Sequence, residues 1–327
     1  MQQSAVMLAW RALASLRLTL VGLVLLALGI VYAYLFDQHA TLALVLPMLL
    51  LSINLLAAVA TRPAFRQSGA LLLFHLALIA IVLLLAAGRL SYLKGHVELT
   101  QGQEFSGVLT EVDAGVWHRS ALDQVRFSNE GFTIEYNTGL QRGVTSNQVS
   151  YLDTGGMAKR AEIGDQTPLV LHGYRFYTSH NKGFAPTFSW HPARGGDPTL
   201  GAVHLPSYPI NEYSQSKEWT LPGTDLKLWT MLQFDEVILD PARPSEFRLP
   251  QHHELVVRHG DTRIELQPGG AMTLPEGRLV YEGLRSWMGY TVFYDWTIYW
   301  LLAACLLAIA AMGWYYGVKF YAKPWNE

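Results

Sequence analysis

Four stretches of the chain stay apolar for about 20 residues, the length a helix needs to cross a bilayer core: 18–36, 41–60, 70–88 and 296–318. The first carries no charge. The second is broken only by Pro47 and Asn54, and the third has His75 as its single ionisable side chain. The fourth is closed by Lys319 and Lys323. Between the third and fourth stretches the period changes. Short alternating runs, such as GFTIEY at 131–136, PLVLHGY at 168–174, ELVVR at 254–258 and TRIEL at 262–266, point successive side chains to opposite faces of a strand. Turn signals separate them: NEG at 129–131, TGG at 154–156, RGGD at 194–197 and HGD at 259–261.

The pattern predicts an integral membrane protein with three N-terminal transmembrane helices, one C-terminal transmembrane helix, and an antiparallel all-β domain, sandwich-like or an open barrel, between them. The expected domains are a membrane domain over 1–90, an extracytoplasmic β-rich domain over 91–290, and a last span with a cytoplasmic tail over 291–327. The stretch at 18–36 reads as a retained anchor. It is longer than a signal-peptide core and ends in bulky Tyr34, Leu35 and Phe36 instead of a small-residue cleavage site.

Basic residues in short flanks set the orientation. Arg11 and Arg17 precede the first span, Arg62 and Arg66 separate the second from the third, and Lys319 and Lys323 follow the fourth; the loop from Asp37 to Ala40 has none. These flanks lie on one side, which predicts cytoplasmic termini and an extracytoplasmic central domain. Tyr and Trp at both ends of the last span (Tyr290, Tyr294, Trp296, Tyr299 and Trp300, then Trp314 to Tyr316 and Tyr321) match an interfacial belt.

Composition narrows the functional classes. Charged residues are 15% of the chain, against roughly 25% in soluble domains. The net charge of −2 gives no reason to expect a nucleic-acid partner. A single cysteine, Cys305, rules out an internal disulfide, a dithiol active site and a Cys-x-x-Cys-His haem attachment. Neither a nucleophile elbow nor a phosphate-binding loop is present, and no catalytic residue is predicted.

His75 is the strongest candidate site residue. An ionisable side chain inside a span is costly and points to function, and a neutral imidazole is a good ligand for haem iron. The residues alone leave open the alternative of a histidine hydrogen-bonded to a neighbouring helix, for instance through Asn54. His252-His253 with His259 lacks metal-protease spacing and reads as a solvated strand. Asp235, Glu236 and Asp240 read as a solvated acidic loop.

Several stretches, in order, resemble the ResB/CcsB family of cytochrome c biogenesis proteins. They are SLRLTL at 15–20, LSINLL at 51–56 with Thr61-Arg62, FHLAL at 74–78, and GHVELTQGQE at 95–104. Within the central domain FTIEY at 132–136 and the run from Pro168 to Ser179 are similar to the family's strands, and GYTVFYD at 289–295 to its approach to the final span. The resemblance covers nearly the whole chain.

The resemblance implies a subunit of a System II cytochrome c maturation complex. Together with a CcsA/ResC-type membrane partner it would move haem across the bilayer for thioether attachment to apocytochrome c. Such a subunit is part of a haem lyase or synthase and not a catalyst alone. His75 falls on the family's third-helix histidine, which implies an axial ligand to a non-covalent haem b shared with the partner. Arg62 and Arg66 then lie where haem propionates would need cations. The alternative is a non-catalytic scaffold whose β domain docks apocytochrome or the partner. Two departures from the family are a smaller outer domain than many members have and a final span without histidine.

Overall fold

The computed structural model describes residues 5–36, 40–153, 155–211 and 214–322. Lys323, Thr154 and residues 37–39 of the first loop lie outside them. Contacts divide the chain into two compact units, one of Met1–Lys94, Asp113–Arg119 and Tyr294–Glu327, the other of Gly95–Val112 and Ser120–Phe293.

The first unit is helical. Its helices are α1 (Ala5–Leu13), α2 (Leu16–Leu35), α3 (Thr41–Thr61), α4 (Gly69–Ser91) and α5 (Ile298–Ala322), with a 3-10 turn at Pro63–Phe65 before α4. The last four are long and apolar enough to cross a membrane. α1 is short and amphipathic and was not predicted. Its Trp10 and Leu13 pack with Phe65 against Ala14, Ala57 and Ala58, so part of the cover for α3 comes from α1, more than 40 positions away.

Local chemistry shifts the span boundaries. α2 begins at Leu16, before the apolar run, because Ser15 caps it: the Ser15 hydroxyl accepts from the Arg17 backbone N–H at 3.2 Å. α5 begins at Ile298, two residues later than expected, because Asp295 accepts from both the backbone N–H and the hydroxyl of Thr297 at 2.8 and 2.7 Å.

α2 packs on α3, α3 on α4, and α4 on α5. Pro47 lies inside α3 and has no N–H to offer the Ala43 carbonyl one turn earlier. α2 closes on that carbonyl through Gly29, where an added Cβ would stand 2.3 Å from the Ala43 oxygen. A glycine is needed there because the neighbouring helix covers a carbonyl that hydrocarbon would leave unsatisfied.

The second unit is built of strands, as the alternating runs predicted. In chain order they are β1 (Leu93–Thr100), β2 (Glu111–Ala114), β3 (Phe127–Asn137), β4 (Gln141–Leu152), β5 (Ala158–Ile163), β6 (Leu169–Leu171), β7 (Tyr174–Pro192) and β8 (Thr199–Ala202). There follow β9 (Ser216–Thr220), β10 (Lys227–Gln233), β11 (Ser245–Glu246), β12 (Glu254–His259), β13 (Thr262–Leu266), β14 (Ala271–Leu274) and β15 (Gly277–Tyr294). One sheet runs β2-β1-β15-β7-β6, with β14 on β15 and β8 on β7; the others run β13-β12-β10-β9 and β11-β3-β4-β5. Every pairing within the last two sheets is antiparallel.

Burial alternates along strands such as β10, where Leu228, Thr230 and Leu232 face inward. The core holds rings of Phe105, Phe127, Phe176 and Tyr290 with centroids 5.0–5.7 Å apart. It also contains a fully buried polar link. Tyr290 donates to Asn147 Oδ1 at 2.7 Å, Asn147 Nδ2 donates to Asn129 Oδ1 at 2.8 Å, and Asn129 Nδ2 donates to the Leu99 carbonyl at 3.0 Å. Burial drives the Tyr290 phenol far above its ordinary pKa, so it stays a donor.

Candidate functional site

His75 lies six residues past the start of α4, about 9 Å along the helix axis at 1.5 Å per residue. Ser68 sets that start, its hydroxyl accepting from Leu71 N at 3.5 Å. The imidazole Nδ1 is 2.7 Å from the carbonyl oxygen of Leu71, one turn back. A carbonyl only accepts, so Nδ1 must carry the hydrogen. In a neutral ring this leaves the lone pair on Nε2, the arrangement in which a histidine serves as a metal ligand with its other nitrogen fixed by a backbone carbonyl.

Two aromatic rings hold the imidazole plane. Phe65, from the turn between α3 and α4, meets it edge to face with centroids 4.6 Å apart, and Phe74 does so at 5.4 Å. Phe65 also packs on the α1–α3 cluster, which ties the orientation of His75 to the first helix. The side chain is half-buried, and Leu76, Leu83 and Leu85 on the same helix are exposed.

Asn54 does not serve His75. It is buried, accepts from Thr19 Oγ1 at 2.7 Å, and donates to the carbonyls of Leu13 and Ser15 at 2.6 and 3.1 Å. The two arginines differ. Arg62 caps α3 and donates from Nη2 to the Ala14 carbonyl at 2.7 Å, which occupies part of its guanidinium in bracing α1. Arg66 ends the 3-10 turn, is exposed, and forms no side-chain hydrogen bond or ion pair with the described residues.

The other histidines weighed from sequence fall in the second unit. His252 and His253 precede β12 instead of lying in a strand. His252 is solvent-facing, while His253 Nε2 is 2.7 Å from the Tyr281 hydroxyl and burial lowers its pKa. His259 donates from Nδ1 to the Lys227 carbonyl at 3.0 Å. Glu236 accepts from the backbone N–H of Gln251 and His252 and from Arg248, and these bonds hold its carboxyl below the usual range. Glu236, His252 and His253, but not His259, border a cleft of about 1350 Å³ with Tyr208, Gln215, Phe234 and Glu254 on its walls. The cleft lies at one end of the β13-β12-β10-β9 sheet, where Gln233 of β10 stands opposite Glu254 of β12.

The ResB-like family model matches residues 54–316, from the middle of α3 through the whole β unit and into α5. The chain belongs to the ResB-like family. None of the curated proteins compared with it matches. The matched range opens at Asn54 and contains His75, Phe65, Arg62 and Arg66. In this ResB-like protein, α1 and α2 precede the matched range and are joined to it by the Asn54 and Arg62 bonds.

Sequence reasoning singled out His75 but missed what orients it. Phe65 is one apolar residue in a basic turn and carries no sequence signal for this role. Ser15 and Thr19 belong to the SLRLTL stretch, and Ser15 has the ordinary signature of a helix N-cap.

Proposed function

We propose that this ResB-like protein is a membrane subunit for cytochrome c maturation that holds haem b through His75. It would do so together with a CcsA/ResC-type partner, in the plasma (inner) membrane, with both termini cytoplasmic and the β unit extracytoplasmic, facing apocytochrome c. The observation that carries the reading is the Nδ1–Leu71 bond, which leaves Nε2 of a histidine inside an apolar helix as a free lone pair.

The residues present fit the group. Bound haem would supply the vinyl groups to which the cysteine thiols of the apocytochrome add as thioethers. His75 would donate Nε2 to its iron, Phe65 and Phe74 would fix the ring plane, and Arg66 would face a carboxylate at the end of the span. Arg62, already bound to Ala14, would contribute less. Exposed Leu76 and Leu83, seven residues apart on one face of α4, leave that face for a second subunit.

The test is to co-purify the chain with its partner subunit and record the absorption spectrum. His75→Ala should lower the haem content of a normally folded complex, and exogenous imidazole should restore part of it. Unchanged haem content would overturn the ligand role.

A second reading, in which the β unit docks a polypeptide, is favoured by the cleft beside Glu236 and Glu254. At about 1350 Å³ it exceeds the roughly 300–1,000 Å³ of small-molecule sites. Capture of apocytochrome unaffected by Glu254→Lys or Phe234→Asp would count against it.

A further inference from the structure

A short segment between β2 and β3 closes the end of α4. The last carbonyls of a helix have no partner within it, and at the edge of a membrane they need one. Here Trp117 N donates to the Leu90 carbonyl at 2.7 Å and Gly115 N to the Tyr92 carbonyl at 2.9 Å. His118 Nδ1 donates to the Ser91 carbonyl at 2.9 Å. Gly115 makes this approach possible, since an added Cβ would lie 2.3 Å from the carbonyl carbon and oxygen of Leu90.

Capping accounts for the backbone but not for the side chains. Val116 and Trp117 are 74% and 65% exposed. They stand at the same level as the entry to α5, because Trp296 Nε1 donates to Ser91 Oγ at 2.8 Å. Trp296, Tyr299 and Trp300 there are also exposed. Arg89, one residue before Leu90, lies 4.5 Å over the Tyr92 ring, and its Nε is buried without a hydrogen-bond partner. Exposed indoles, a valine and a cation at the end of two apolar helices form the pattern that prefers the head-group layer, where rings lie between acyl chains and water and a cation meets phosphate.

We infer that the Val116–Trp117 tip is a lipid-binding element, seated in the head-group layer of the leaflet at the C-terminal end of α4, with Arg89 beside it for a lipid phosphodiester. The segment is continuous with the aromatic belt of α5, so the occupant is the bilayer and not a protein partner.

The experiment uses the full chain in phosphatidylcholine nanodiscs, with Cys305 replaced by alanine and a fluorescent label on Trp117→Cys. Val116→Cys provides a second site, and Leu200→Cys in the β unit is the aqueous control. Lipids carrying a quencher near the head group should quench the labels at 116 and 117 several-fold more than the label at 200. A water-soluble quencher should show the reverse order. Equal aqueous quenching at 117 and 200 would overturn the inference. So would a label at 117 shielded from both quenchers, which would place protein there. Trp117→Phe in the unlabelled chain should also reduce the intrinsic fluorescence that brominated lipid quenches; no reduction would count against it.

Discussion

Thr19 of α2 donates a hydrogen bond to Oδ1 of Asn54 in α3 at 2.7 Å, across 35 positions of sequence. The same amide binds the carbonyls of Leu13 and Ser15, so one buried side chain joins the end of α1, the cap of α2 and the middle of α3. The stretches at 15–20 and 51–56 that carry the family resemblance are therefore bonded to each other.

Replacing Asn54 by Leu should cost more than replacing Thr19 by Val. Asn54→Leu removes three hydrogen bonds: the Leu13 carbonyl loses its Asn54 donor, while the Thr19 hydroxyl and the Ser15 carbonyl keep only their bonds to each other's residue. A buried polar group left unpaired costs about 1–3 kcal/mol. Thr19→Val removes one donor, about 0.6 kcal/mol by the average for hydrogen bonds within membranes. Thermal unfolding of the purified chain should rank the variants in that order. Equal melting temperatures would show that the link is not holding the helices.

Gly29 is expected to tolerate nothing larger. A Cβ 2.3 Å from the Ala43 oxygen forces α2 away from α3 and uncovers the carbonyl that Pro47 leaves unpaired. Gly29→Val should lower the melting temperature and the yield of folded protein. Gly317→Ala in α5, with nothing within 4 Å of the added atom, should change neither.

Lys182 should make stability depend on alkaline pH. It is buried on β7, and burial, with the charge of Arg142, pushes its pKa down from about 10.5 to about 8, against a smaller opposing effect of Asp165. Between those values the unfolded chain binds a proton that the folded chain does not, so stability rises with pH across the window. Below about pH 8 both states are protonated and the cost of burying the charge is constant. Lys182→Met should be more stable at pH 7, and its advantage should shrink as pH rises from 8 to 10. An advantage independent of pH would contradict the assignment.

Asn147 should be the least replaceable residue of the β core. Asn147→Leu leaves the Tyr290 hydroxyl unpaired inside the protein and takes the Asn147 donor from Asn129 Oδ1, which keeps the Gly131 N–H, and from the Gly131 carbonyl, costing about 3 kcal/mol. Tyr290→Phe removes one donor and should cost less, about 1–2 kcal/mol. Denaturation of the two variants distinguishes this order from its reverse.

The four spans are legible in the chain alone, because an apolar run of about 20 residues is a local property that no tertiary contact needs to complete. The β character of the middle region is legible there too, since period-two alternation with glycine turns is likewise local. His75 was legible because charge-capable atoms inside an apolar run stand out. The tertiary structure decided the rest. α1 has nine residues, too few to announce itself, and its apolar face acquires meaning only against Ala57 and Ala58. The sequence offers Asn54 as a neighbour for His75, yet among the described residues its bonds go to Thr19, Leu13 and Ser15. The tautomer of His75 follows from a rotamer that brings Nδ1 to Leu71, and its ring plane from Phe65 across the turn. A hydrogen bond has direction as well as composition, and direction exists only once the helices are packed.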